Sequence, residues 1–168
     1  MNAPFGPPLR IIVTGGTIDK IHEPRIEALA FARDGATHIP ELLAAGRCHF
    51  PQVQLLMLKD SLDFTDLDRE AISDAVEGAA EKHIVITHGT GTMGQSARWL
   101  AAREIDKTVV LTGAMRPYSL SASDGDFNLG SAVAAAQILP SGVYGAMNGR
   151  VILADRLDKN VEAGRFDL

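Results

Sequence analysis

The sequence predicts an α/β domain, three layers deep, with a mostly parallel sheet and a C-terminal hairpin. Three observations carry that reading. Short runs rich in Val and Ile recur at 9–14, 83–87 and 108–112, and continuous apolar runs of this length read as strands covered on both faces. Helical patterns alternate with them, which favours parallel pairing through crossover connections. Asn148-Gly149 between two further apolar runs is a two-residue hairpin signal near the end of the chain. The 168 residues fit one domain with one core, so residues 1–168 are taken as a single unit.

The elements follow in order. Residues 1–8 are rich in Pro and Gly and read as a loose arm. The first strand, 9–14, stops at Thr14-Gly15-Gly16-Thr17, where paired glycines allow a tight turn with outward N–H groups. Residues 18–37 have scattered charge and no clean period; they read as a flap over that turn, with a helical piece at 26–32. Pro40 opens a short helix to Arg47, and 52–58 forms the second strand, running into Lys59-Asp60-Ser61-Leu62-Asp63. Thr65 is a good N-cap for a helix to about Lys82, with Asp68 in the capping-box position. The strand at 83–87 ends in His88-Gly89-Thr90-Gly91-Thr92 before a helix at 93–104. The strand at 108–112 ends in Gly113-Ala114-Met115-Arg116-Pro117, and a Ser/Asp-rich loop leads to a helix at 127–139, expected to pack closely through Gly130 and its alanines. Strands at 143–147 and 151–154 form the hairpin, and the polar tail from Arg156 reads as irregular or edge-covering.

Composition narrows the function classes. A net charge of −5 and a pI of about 5.5 argue against nucleic acid or an anionic membrane as the main partner. No apolar run approaches the ~20 residues of a membrane span, and the N-terminal residues lack the pattern of a signal peptide. A single cysteine, Cys48, fits a reducing cytoplasm, and Cys48 with His49 is too little for a zinc site. No metal and no cofactor are expected.

In a parallel sheet, ligands bind at the carboxyl ends of the strands. The turns at 14–17, 59–63, 87–92 and 112–117 all fall there. They carry hydroxyls at Thr14, Thr17, Ser61, Thr87, Thr90 and Thr92, and a hydroxyl beside a base can act as a nucleophile. Lys107 lies just before the fourth strand; such a lysine is either a solvated surface group or, in a dry site, a base. Gly89, Gly91 and Gly94 also spell G-x-G-x-x-G, a dinucleotide fingerprint. It follows the third strand rather than the first, and the next strand lacks the acidic end that binds a ribose.

Taken together, Thr14-Gly15-Gly16-Thr17-Ile18, His88-Gly89-Thr90-x-Thr92-Met93, Lys107, Gly113-Ala114-Met115-Arg116-Pro117, Ser123-Asp124-Gly125 and Asn128-Leu129 resemble the bacterial L-asparaginase/glutaminase family. The length and the ending (Met147 to Val151, Asp155-Arg156, Lys159-Asn160 and Ala163 to Phe166) resemble its short-chain members, which keep only the N-terminal domain.

The resemblance implies an amidohydrolase that converts L-asparagine to L-aspartate and ammonia through a threonine acyl-enzyme. Thr17 matches the nucleophile, Thr90 the second threonine, and Lys107 the lysine that moves protons with it. Ser61 matches the serine that binds the substrate α-carboxylate. Asp60, Gly16, Gly89, Gly91 and Ala114 complete the substrate-binding set. The substrate is a small amino-acid amide, and the assembly a homo-oligomer, dimer or tetramer.

The departures are equally specific. The family has Asp directly after the second threonine, where this chain has Gly91, and a polar amide after the serine, where this chain has Leu62. Asp19, Asp60, Asp63 and Asp124 are the acids that could compensate. The flap contains no tyrosine, and no C-terminal domain is seen in these residues. A non-catalytic module holding an amino acid or dicarboxylate on the same pocket is the alternative, followed by the dinucleotide-binding reading.

Overall fold

The computed structural model describes residues 6–166. Most of the expected N-terminal arm, residues 1–5, lies outside them. Twelve regular elements follow in chain order: β1 Leu9–Gly15, β2 Lys20–Glu23, β3 Ala28–Phe31, α1 Ile39–Ala45, β4 Gln52–Lys59, α2 Asp66–Gly78, β5 His83–Thr87, α3 Met93–Ala101, β6 Thr108–Thr112, α4 Gly125–Ile138, β7 Gly142–Met147 and β8 Arg150–Leu153.

Six strands form the main sheet in the order β4-β1-β5-β6-β7-β8. All neighbours are parallel except β7 and β8, which are joined as an antiparallel hairpin. Asn148 and Gly149 both have positive φ, 53° and 76°, as the tight turn between right-twisted strands requires. Alternate side chains of β1 feed two apolar layers. Ile11 and Val13 face the layer shared with α1 and α4, and Ile12 faces the layer that takes Ile72 and Val76 of α2 and Ala97 and Leu100 of α3. Each fully buried aliphatic side chain contributes about 1.5–3 kcal/mol of transfer free energy. The two layers therefore fix the register of the central strands, since a one-residue slip would exchange them.

The α2 start has the capping box expected from its sequence: Asp68 N donates to Thr65 Oγ1 (3.4 Å) and Thr65 N donates to Asp68 Oδ2 (2.7 Å). Two local expectations are corrected. The flap holds no helix at 26–32; it is the antiparallel hairpin β2–β3, in which Ile21 pairs with Ala30 and His22 with Leu29. A piece that short is too small to hold a helical nucleus by itself, whereas pairing with β2 satisfies its backbone. Gly130 makes no close approach: it is exposed, and a Cβ there would meet nothing within 4 Å. The buried contacts of α4 come instead from Leu129, Ala132, Val133, Ala135 and Ala136.

The five parallel strands run second-first-third-fourth-fifth across the sheet, so the direction of winding reverses between β1 and β5. A crevice opens at the carboxyl ends of strands at such a switch point. The turns after β1, β4 and β5 meet there.

Candidate active site

The turn after β1 exists because backbones touch. Gly15 has φ 98° and Gly16 φ 88°, values that L side chains rarely adopt. A Cβ on Gly15 would lie 2.5 Å from Lys59 N, and one on Gly16 would lie 2.5 Å from Gly89 N. The first turn thereby lies directly against the backbones of the second and the third. Gly16 N donates to Lys59 O (3.2 Å), tying the first turn to the second. Thr17 begins a short 3-10 turn, Thr17–Asp19, at the lip of the crevice, and is half-buried.

Ser61 is almost wholly buried between the same turns. Its Oγ accepts from Thr92 N (3.3 Å), and its carbonyl accepts from Thr92 Oγ1 (2.7 Å), so the second and third turns are clamped to each other. Thr90 is 8% exposed, and its Oγ1 accepts from Lys159 Nζ at 3.2 Å. Gly16, Thr17, Asp60, Ser61, Leu62, Gly89, Thr90, Gly91 and Lys159 line one cleft of about 180 Å³.

Of the expected site residues, the structure brings together Gly16, Thr17, Asp60, Ser61, Gly89, Thr90 and Gly91. It does not bring two others. Ala114 is fully buried in the apolar layer that also holds Ile18, and is absent from the cleft lining. Lys107 stands at the amino end of β6, a strand of five residues, so about 17 Å of extended chain separates it from the cleft. Its Nζ donates to the carbonyls of Val76 (2.7 Å), Glu77 (3.2 Å) and Ala79, at the C-terminus of α2. Burial, helped by the charge of Lys82, pulls its ammonium below the ordinary range, but no hydroxyl of the cleft is near it. Lys107 is a helix cap.

The lysine in the cleft is Lys159, whose place in a polar, aperiodic ending gives no sign of a role. It is the only lysine after Lys107. The tail is carried back over the sheet by Leu157, which is wholly buried and packs where a Cβ of Gly145 would clash (2.3 Å to Leu157 Cδ1), and by Phe166, whose N–H donates to Asn148 Oδ1 (2.9 Å).

Thr14 and His88 are bonded to neighbouring elements. Thr14 Oγ1 donates to Thr87 O (2.7 Å), fastening β1 to β5. His88 is fully buried between Gly89 O (2.7 Å from Nδ1) and Ser96 Oγ (2.8 Å from Nε2). Burial holds its pKa at about 4, so the ring is neutral at pH 7. The glycines of the G-x-G-x-x-G run are all packed on protein: Gly89 on Ser61, Gly91 on Leu62, Gly94 on Leu157 O. They leave no open cradle for a pyrophosphate. Among the described residues, no three His, Cys, Asp or Glu side chains converge as a metal site. A larger cavity, about 440 Å³, lies between α1 and α4, but its lining is chiefly aliphatic, and burial pushes the thiol of its Cys48 up, away from the reactive thiolate.

Comparison with known proteins decides the kinship. Residues 8–167 match the family model described as "Asparaginase, N-terminal". The chain belongs to the asparaginase family. It is 31% identical over 172 residues to a probable periplasmic L-asparaginase of Haemophilus influenzae, covering 94% of this chain and 48% of that one. It is 34% identical over 148 residues to one of the polypeptides of a glutamyl-tRNA(Gln) amidotransferase from Methanococcus vannielii, covering 85% and 34%. The L-asparaginase I structure from Vibrio cholerae superposes with a TM-score of 0.77 at 27% identity, covering 90% of this chain and 47% of that one. A thermostable L-asparaginase from Thermococcus kodakarensis gives 0.74 at 30%, covering 88% and 46%. The three-layer α/β fold is thus that of asparaginases. The chain spans between a third and a half of the length of these relatives. No helix among the described residues is long and apolar enough to cross a membrane.

Proposed function

We propose that this chain is an amidohydrolase that hydrolyses a side-chain carboxamide of the L-asparagine type through an acyl-enzyme on Thr17. The observation that carries the proposal is the joint lining of one cleft by Thr17 and by the hydrogen-bonded pair Thr90–Lys159. Amide hydrolysis needs a nucleophile, a group that moves protons, and oriented donors for the tetrahedral oxyanion. Thr17 Oγ attacks the carboxamide carbon, and its proton passes to the Thr90–Lys159 pair. The oxyanion faces the backbone N–H groups of the glycine turns. Collapse returns the proton to the amide nitrogen, breaks the C–N bond and releases ammonia, leaving an ester on Thr17. Water then attacks the ester carbon, and Thr90 and Lys159 again carry the proton as the acid leaves and Thr17 Oγ–H is restored. In this account Lys159 takes the role that the family resemblance gives to Lys107.

The proposal keeps the homo-oligomer and the cytoplasmic location expected from the sequence. The relatives divide on location: the Haemophilus protein is named periplasmic, and a similar structure from Campylobacter jejuni is titled a probable cytoplasmic L-asparaginase.

The test is ammonia release from ω-amides by the chain and by Thr17→Ala, with folding checked by circular dichroism. The variant is expected to lose about a thousandfold or more in kcat/KM. Equal rates in both, on every amide tried, would remove the catalytic reading; calorimetric binding of aspartate without turnover would then favour the non-catalytic amino-acid-binding module.

A further inference from the structure

Gly91 and Leu62 face each other across the cleft lining. A Cβ placed on Gly91 would lie 2.6 Å from Leu62 Cδ2 and 3.0 Å from its Cγ. The leucine methyls therefore occupy the space into which a side chain at position 91 would project, and they present an apolar wall where the substrate's carbon chain would lie. Of the acids that could answer a substrate cation, Asp60 is committed and the others lie outside the cleft lining. Asp60, the only acid in the lining among the described residues, accepts from Leu62 N through Oδ1 (3.0 Å) and from Lys20 Nζ through Oδ2. That pairing holds its carboxyl below the ordinary carboxylate range. Asp19 is buried outside the lining; its Oδ1 accepts from Thr37 Oγ1 and His38 N, both at 2.8 Å, and its Oδ2 has no hydrogen-bond partner among the described residues. Asp124 accepts from Met115 N, Arg116 N and Asn128 Nδ2. Asp63 is exposed and outside the cleft, and Asp158 pairs with Arg98.

We infer that the cleft selects ω-amides without an α-ammonium group: monoamides of dicarboxylic acids rather than amino-acid amides. The inference rests on the amidohydrolase reading of the same site. An ammonium placed against Leu62, which is 73% exposed at the cleft mouth, gains no carboxylate, whereas a methylene at the same position gains apolar contact. The lining's polar groups suit an anion, since Lys159 brings an N–H donor and Asp60 is already paired with Lys20. Ser61, which accepts from Thr92 N, keeps its own hydroxyl proton to donate to a substrate carboxylate.

Succinamate and L-asparagine differ only by the α-amino group, so they make a matched pair of substrates. The chain is expected to hydrolyse succinamate with a kcat/KM about tenfold or more above that for L-asparagine. In the double variant Leu62→Ala, Gly91→Asp, which supplies a carboxylate and the room for it, the order is expected to reverse. Calorimetric titration with succinate and L-aspartate reads the same preference without turnover, and succinate is expected to bind more tightly. L-asparagine equal to or better than succinamate in the unmodified chain would overturn the inference and leave the amidohydrolase reading standing. Absence of turnover on both amides, with succinate still the tighter ligand, would remove the catalytic reading and keep the selectivity. L-aspartate binding as tightly as succinate, without turnover, would remove both.

Discussion

Lys107 and Lys159 sit at opposite ends of one sheet and use the same ammonium group for unrelated ends. Lys107 is held by three carbonyls at the C-terminus of α2, where a cation satisfies orphan acceptors and the negative end of the helix dipole. Lys159 meets a hydroxyl, Thr90 Oγ1, in a cleft shared with Thr17. The first lysine is placed by the regular fold, one residue before β6. The second is placed by an irregular tail that is anchored over the sheet by buried Leu157 and Phe166. A lysine that caps a helix has its donors filled by carbonyls, which take no proton at ordinary pH. A lysine against a hydroxyl has a partner that can exchange one. The chemistry of the neighbour, and not the regularity of the backbone, separates the two.

That contrast can be broken most directly at Lys159. Lys159→Met keeps the length of the side chain and removes the amine. It is expected to lower kcat/KM for the preferred amide by about a thousandfold, the scale of a lost proton-transfer partner, with the melting temperature nearly unchanged. A variant retaining full activity would show that the Thr90 contact has no catalytic role. The tail's anchor gives the next largest effect. Leu157→Ala removes a wholly buried side chain seated on Gly145 and is expected to cost about 3 kcal/mol in denaturant unfolding. Because Lys159 lies two residues on, activity should also fall, by about tenfold, at temperatures where the variant is still folded. Leu157→Met, which conserves volume, should recover most of both. Loss of stability without loss of activity would uncouple the anchor from the lysine.

The same contrast explains which features are legible in the sequence. Strands at 83–87 and 108–112, the Thr65–Asp68 box and the Asn148-Gly149 turn are legible because periodicity and local chemistry determine them over a few residues. The cleft lining on β1, β4 and β5 is legible for a related reason: parallel strands align their carboxyl ends, so turns 14–17, 59–63 and 87–92 have to meet. Lys159 is not legible, since a tail without period gives no rule for where it returns. Its partner Thr90 is 69 residues away. The flap hairpin escapes notice because four-residue strands around Pro24 carry too little alternation to announce themselves. Ala114 is suggested by its motif alone, and its burial follows from the packing of Ile18 and α4 above it, which no local pattern encodes.

The smallest expected effect is at Lys107, and it is the one that completes the comparison. Lys107→Met leaves the C-terminal carbonyls of Val76, Glu77 and Ala79 without their shared donor. Some of these carbonyls can turn to water, because Glu77 is exposed, so only part of the bonding is lost. The expected cost is about 1–2 kcal/mol of unfolding free energy, seen as a lower denaturant midpoint with an unchanged slope. Faster hydrogen exchange should be confined to the last turn of α2. Amide hydrolysis should stay within about twofold of the unmodified chain, a change of under ~0.5 kcal/mol. A fall in kcat comparable to that of Lys159→Met, with stability preserved, would return the catalytic role to Lys107 and require a sheet arrangement other than the one seen.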